Sequence, residues 1–150
     1  MEELDADGTR SVVAIQRLQA AYGDAVTRRA WSEVRALFVP DAVVELDLRT
    51  GPPIVLEGPK ALTDFIEGAV ERFRFFELSI LNAVVDLDGD VATGRLYICE
   101  LRHTHEGEWS QAYGLYRDDY QRRDGAWRIA GRRYASLART GPTVESFELP

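Results

Sequence analysis

The chain is poor in the residues that build staples and metal centres. One cysteine, Cys99, stands among 150 residues, so no intrachain disulfide can form and the usual cysteine-based zinc sets are excluded. The two histidines, His103 and His105, are a thin basis for a metal site, and neither a metal nor any other cofactor is expected. Lysine is almost missing: Lys60 is the exception among 18 basic side chains, the rest being arginine. A GC-rich genome accounts for that bias; a substrate clamp is the other reading. Positive charge is itself in deficit, 18 basic against 25 acidic residues and a net charge of −7. An acidic chain argues against a nucleic-acid partner or an anionic membrane, both of which require a basic face. No apolar run approaches the roughly 20 residues that cross a bilayer. Residues 1–10 are acidic and polar, the opposite of a secretory signal, and a cytoplasmic protein is expected.

What the chain has is pattern. Residues 1–10 read as a flexible leader, 11–140 as one domain, and 141–150 as a C-terminal tail. Val12, Ile15, Leu18, Tyr22 and Val26 recur at helical spacing, with Ser11 or Thr9 placed to cap. A shorter helix carries Trp31, Val34, Leu37 and Phe38 and is ended by Pro40. Residues 42–48 read as a strand and 54–56 as its short partner. Gly58-Pro59 opens a third helix with the stripe Leu62, Phe65, Ile66, Ala69, Val70 and Phe73.

From Phe75 the period changes to two. Turn signals at Asp88-Gly89, Glu106-Gly107 and Asp124-Gly125 divide the rest into segments near 75–87, 91–105, 109–123 and 126–138. Such strands are two to three times the usual length of about 5–6 residues, so they must coil or carry bulges, with Gly94, Gly114 and Gly131 as bend points. The expected fold is α+β: three N-terminal helices packed on a strongly curved antiparallel sheet, a cone-shaped barrel with a central cavity.

Two stretches carry a resemblance. LQAAYGDAVTRRAWSEVRALFVPDAVVE, from Leu18 to Glu45, resembles the opening of the SnoaL-like proteins, members of the nuclear transport factor 2-like superfamily. Gly114-Leu115-Tyr116-Arg117-Asp118, followed by Asp124-Gly125-Ala126-Trp127-Arg128-Ile129, resembles their ending. The superfamily includes ketosteroid isomerase, scytalone dehydratase, limonene epoxide hydrolase and the polyketide cyclases. The resemblance implies the same fold and a homodimer through the outer sheet face. It does not by itself choose a reaction, because one fold hosts many chemistries.

Residue by residue, the resemblance implies that Tyr22 falls on the isomerase tyrosine that donates to a developing enolate oxygen. The alternative is a core tyrosine whose hydroxyl bonds to backbone. Asp118 or Asp119 lies near the place of the isomerase's protonated aspartate, the second oxyanion donor. The alternative is an exposed aspartate paired with Arg117, Arg122 or Arg132. The departures are equally definite. Leu46 stands where the isomerase has its base, Thr27 where the dehydratases have an aspartate, and FRFFELSILN (Phe73–Asn82) contains no histidine.

Alternation supplies the remaining candidates. His103 shares a set with Tyr97, Cys99 and Leu101, which makes it the available proton carrier; the other reading is a solvated residue beside the turn at Gly107. Arg133 shares a face with Trp127 and Ile129 and is expected to point inward, with Arg132 outside. Tyr22, Asp118 and His103 are thus the catalytic candidates, and Thr27, Tyr97, Tyr116 and Arg133 the substrate-binding ones. The expected activity is a cofactor-free isomerase or lyase acting by proton transfer on a small hydrophobic cyclic or aromatic oxygenated compound. The alternative is a binding or interaction module that has lost the catalytic base.

Overall fold

A computed structural model describes residues 3–141 and the backbone of Glu145–Ser146. Its order is α1 (Ala6–Thr27), α2 (Trp31–Ala36), β1 (Phe38–Asp47), β2 (Ile54–Glu57), α3 (Gly58–Val70), β3 (Phe73–Asp88), β4 (Val91–Thr104), β5 (Trp109–Arg123), β6 (Ala126–Thr140) and β7 (Glu145–Ser146).

Local chemistry sets the boundaries. The Asp5 carboxylate accepts from the backbone N–H of Gly8 at 2.7 Å, so α1 starts at Ala6. The expected leader is therefore helical from Ala6, and neither Ser11 nor Thr9 is the cap. Ile15, Leu18, Tyr22 and Val26 are buried, as their spacing requires. β1 begins at Phe38, four residues earlier than the pattern suggested. Its pairing with β6 breaks between Phe38 and Val43, and Pro40, which lacks an N–H, sits in that break.

The strands lie in the order β2-β1-β6-β5-β4-β3, with β7 pairing against β6. All pairings are antiparallel except β1 with β6, which run parallel, a departure from the expected antiparallel sheet. The sheet curls strongly and stays open, because β2 and β3 are its two edges. Three helices on a curled sheet make the α+β class expected, with an open cone in place of a closed barrel.

Curvature comes from bulges and two missing side chains. Extra residues stand at Leu81 on β3, facing β4, and at Leu137 and Ala130 on β6, facing β5. A Cβ built on Gly94 would lie 2.8 Å from the Tyr120 ring, and one on Gly114 would lie 2.1 Å from the Tyr134 ring. These glycines let aromatic rings from the neighbouring strands lie flat on the concave face, where helix and sheet meet in a core that includes Leu96, Ile98 and Ile129. No helix among the described residues is long and apolar enough to cross a membrane.

Candidate functional site

A cavity of about 500 Å³ opens between α1, α3, β1 and the concave face of β4–β6. That size suits a small organic molecule. Leu62, Phe65 and Ile66 of α3 form one wall, and Val44 and Leu46 of β1 another. The polar groups are few and come from the meander.

The inner end is built round Arg132. Its Nε and Nη2 donate to the two oxygens of Asp118, both at 2.7 Å, and the two side chains are 1% and 0% exposed. Tyr120 Oη donates to Asp118 Oδ2 at 2.8 Å, and Gln19 Nε2 donates to Tyr120 Oη at 2.9 Å. The guanidinium lies 4.2 Å from the Tyr22 ring centre and 3.8 Å from that of Tyr116. Among the described residues its Nη1 has no hydrogen-bond partner. Burial disfavours the Arg132 charge, but the carboxylate of Asp118 more than restores it, and the guanidinium pKa lies above its ordinary value.

Tyr22 and Tyr116 both line the cavity, their rings edge-to-face at 6.0 Å. Burial raises the pKa of both phenols, and of Tyr116 strongly. At Tyr22 the Arg132 charge and a hydrogen bond with Tyr116 act the other way. A phenol beside a guanidinium is polarised toward donating its proton in a hydrogen bond.

The outer end is built round Glu100. Its carboxylate stands 3.6 Å from Arg102 Nη1, the side chains being 22% and 15% exposed. Arg102 Nε donates to Ser110 Oγ at 3.1 Å. Burial lifts the Glu100 carboxyl above its ordinary range, against the pull of Arg102, Arg72 and Arg139. Arg102 itself is shifted down, because burial outweighs Glu100. Between the two ends Tyr134 contacts Ser136 Oγ at 3.3 Å, and burial pushes its phenol up to about 12.

Tyr22 and Tyr116 therefore meet in the cavity, and the other sequence candidates do not join them. Asp118 is buried behind Arg132. Its oxygens accept three hydrogen bonds from Arg132 and Tyr120, which turn both of them away from the cavity. Thr27 ends α1, where its Oγ1 accepts from the N–H of Leu78 at 3.0 Å. Tyr97 pairs in register with Leu115 on the outward set of β4, away from the cavity. His103 stacks on Trp109, centroids 4.1 Å apart and rings 8° from parallel, on the convex face. Arg133 lies in a convex groove with Glu45, Asp47 and Arg117.

Two errors of parity explain this. On β4 the inward set is Ala92, Leu96, Ile98, then Glu100 and Arg102; the set containing Tyr97 and His103 faces out. On β6 the chain is in alternation up to Ile129, which pairs with Tyr120, but Gly131 pairs with Asp119. The extra residue, Ala130, inverts the faces, so Arg132 points in and Arg133 out. Glu100 and Arg102 had a signal in the sequence: they continue the strand's most apolar alternation. Arg132 had none short of placing the bulge. Among the described residues no three His, Cys, Asp or Glu side chains converge as a metal would need.

Fold and cavity together define a helix-covered, curled-sheet protein with a cavity between helices and sheet. The chain belongs to the family of SnoaL-like domains, which residues 9–133 match. An uncharacterized protein of Mycobacterium tuberculosis is 31% identical over 121 residues, covering 79% of this chain and 80% of that one. Among solved structures, a type 2 hexachlorocyclohexane dehydrochlorinase (LinA) superposes with a TM-score of 0.80 at 20% identity, over 98% of this chain and 99% of that one. A putative scytalone dehydratase from Novosphingobium aromaticivorans superposes with a TM-score of 0.78 at 24% identity, over 92% and 91%. At those identities the likeness is one of fold.

Proposed function

We propose that the protein is a cofactor-free lyase or isomerase acting by proton transfer on a small cyclic or aromatic oxygenated compound. Glu100 carries the proposal: among the described residues it is the one carboxylate on the cavity wall, and burial has raised its basicity. It takes a proton from carbon beside a carbonyl or similar group. The electron pair moves toward oxygen, where Tyr22 and Tyr116, backed by Arg132, stabilise the developing charge. The protonated Glu100 then returns its proton to another carbon, giving an isomer, or to a departing substituent, giving an alkene. The solved dehydrochlorinase and the putative dehydratase, which share this fold, support that class of chemistry by analogy.

Deuterium wash-in tests the reading without knowledge of the product. A panel of cyclic ketones and β-substituted cyclic compounds is incubated with the protein in D₂O and followed by NMR. Enzyme-dependent exchange of the acidic C–H is expected, and Glu100→Gln should lower its rate by about 10²–10⁴. A Glu100→Gln protein that exchanges at the wild-type rate defeats this assignment. Absence of exchange across the panel favours the binding module instead. The same reading takes the protein as a homodimer through the convex sheet face, where Leu81 and Val84 are exposed. Light scattering that gives the 16.9 kDa of one chain would count against that.

A further inference from the structure

The cavity is basic in a chain whose net charge is −7. Among the described residues four arginines line it, Arg72, Arg102, Arg132 and Arg139, against one acid, Glu100. Arg132 is neutralised from behind by Asp118. The other three surround Glu100 closely enough for each to act on its charge.

Their arrangement leaves positive charge over. Arg139 is built into the wall, donating to the carbonyl of Leu48 and to Ser136 Oγ. The guanidiniums of Arg72 and Arg102 lie 4.8 and 5.4 Å from the ring centre of Phe73, which lines the same cavity. Arg102 meets Glu100 at 3.6 Å, well short of the bidentate contact that Asp118 makes with Arg132. A planar fork in a poorly solvated place, held through Nε by the Ser110 hydroxyl and by one loose carboxylate at Nη1, is suited to a second carboxylate-like group.

We infer that the cavity selects an amphipathic organic anion. Its single oxyanion group sits at Arg72 and Arg102, and its cyclic or aromatic body lies against Leu46, Phe65 and Phe76. This rests on the cavity being the ligand site, and it does not depend on turnover. It adds to the oxygenated compound proposed above a negative charge that the overall composition argues against.

Two fluorescent dyes that differ by one sulfonate give the test: 8-anilinonaphthalene-1-sulfonate and neutral N-phenyl-1-naphthylamine. The sulfonate is expected to bind at least about tenfold tighter, with a preference that shrinks as salt rises from about 0.05 to 0.5 M. In Arg72→Met/Arg102→Met the gap should fall below about threefold while the neutral dye still binds, which shows the cavity intact. Equal or tighter binding of the neutral dye overturns the inference. So does binding of neither dye, or a gap that survives in the double variant. If the double variant loses both dyes, Arg72→Met alone decides, because Arg72 is exposed. An unchanged gap there also overturns the inference. The titration reads binding alone, so its failure is distinct from failure of the exchange experiment.

Discussion

Two arginine–carboxylate pairs bound one cavity, one in its wall and one reaching behind it, and are built to opposite standards. Asp118–Arg132 is sealed: two contacts of 2.7 Å, side chains 0% and 1% exposed, and Tyr120 and Gln19 extending the network. Glu100–Arg102 is loose: one contact of 3.6 Å, with the side chains 22% and 15% exposed. A carboxylate that already accepts three hydrogen bonds is committed to holding its arginine. A carboxylate that burial has destabilised, with partners at arm's length, is available to take up a proton. On the function proposed above, the difference separates a scaffold from a proton carrier without reference to sequence position.

Removing Asp118 should break the comparison most severely. Asp118→Ala leaves a buried guanidinium without its counter-charge, and loss of one partner in such a pair costs about 3–5 kcal/mol. Urea denaturation reads this. Asp118→Leu/Arg132→Met removes both charges and is expected to recover most of the loss, since apolar replacements of buried pairs are often neutral or stabilising. If Asp118→Ala is as stable as wild type, the pair is not the scaffold described.

The floor on which both pairs rest is next. Gly114→Ala puts a Cβ 2.1 Å from the Tyr134 ring, so the ring or the strand must move. Overpacking of this kind costs about 1–3 kcal/mol. A melting curve unchanged by Gly114→Ala would mean that Tyr134 is not held flat on the concave face.

The Glu100 pair also predicts a sign. Its folded pKa is raised by burial, so ionising it opposes folding. That cost is absent below the unfolded value of about 4.3. It grows as pH rises through the raised folded value and is constant above it. Glu100→Gln should therefore gain stability relative to wild type as pH is raised across that window. Partial exposure keeps the effect small. A slope of opposite sign would show that the three arginines outweigh desolvation, and would remove the basis for treating Glu100 as a strengthened base.

The sequence made the fold legible almost throughout. Turn signals at Gly89, Gly107 and Gly125 fall where the backbone takes positive φ, and the four meander strands follow them. Helical spacing found all three helices, and Tyr22 and Tyr116 proved to share the cavity. The rest of the site was less legible for two physical reasons. Period-two alternation says which residues share a face but not which face is concave, so on β4 it does not separate Tyr97 and His103 from Glu100 and Arg102. A one-residue bulge then inverts alternation outright, and Ala130 exchanges Arg132 for Arg133. Asp118 was placed on the right face, yet its role follows from Arg132, whose direction only the bulge reveals.

That parity argument yields the smallest predicted effect and a direct check on the face assignment. Arg102 and His103 are consecutive on β4 and point to opposite faces of the sheet. His103 stacks on Trp109, which is 57% exposed, so His103→Ala removes a ring contact on the convex surface and touches nothing in the cavity. Its stability change should stay within about ±0.5 kcal/mol, as for ordinary surface substitutions. Its affinity for both naphthyl dyes should match wild type within error. Arg102→Met, one residue earlier, should weaken the sulfonate and spare the neutral dye. If His103→Ala alters dye binding by more than about threefold while its fold is intact, the histidine reaches the ligand. The concave assignment of the even-numbered residues of β4, and with it the role given to Glu100, would then have to be abandoned.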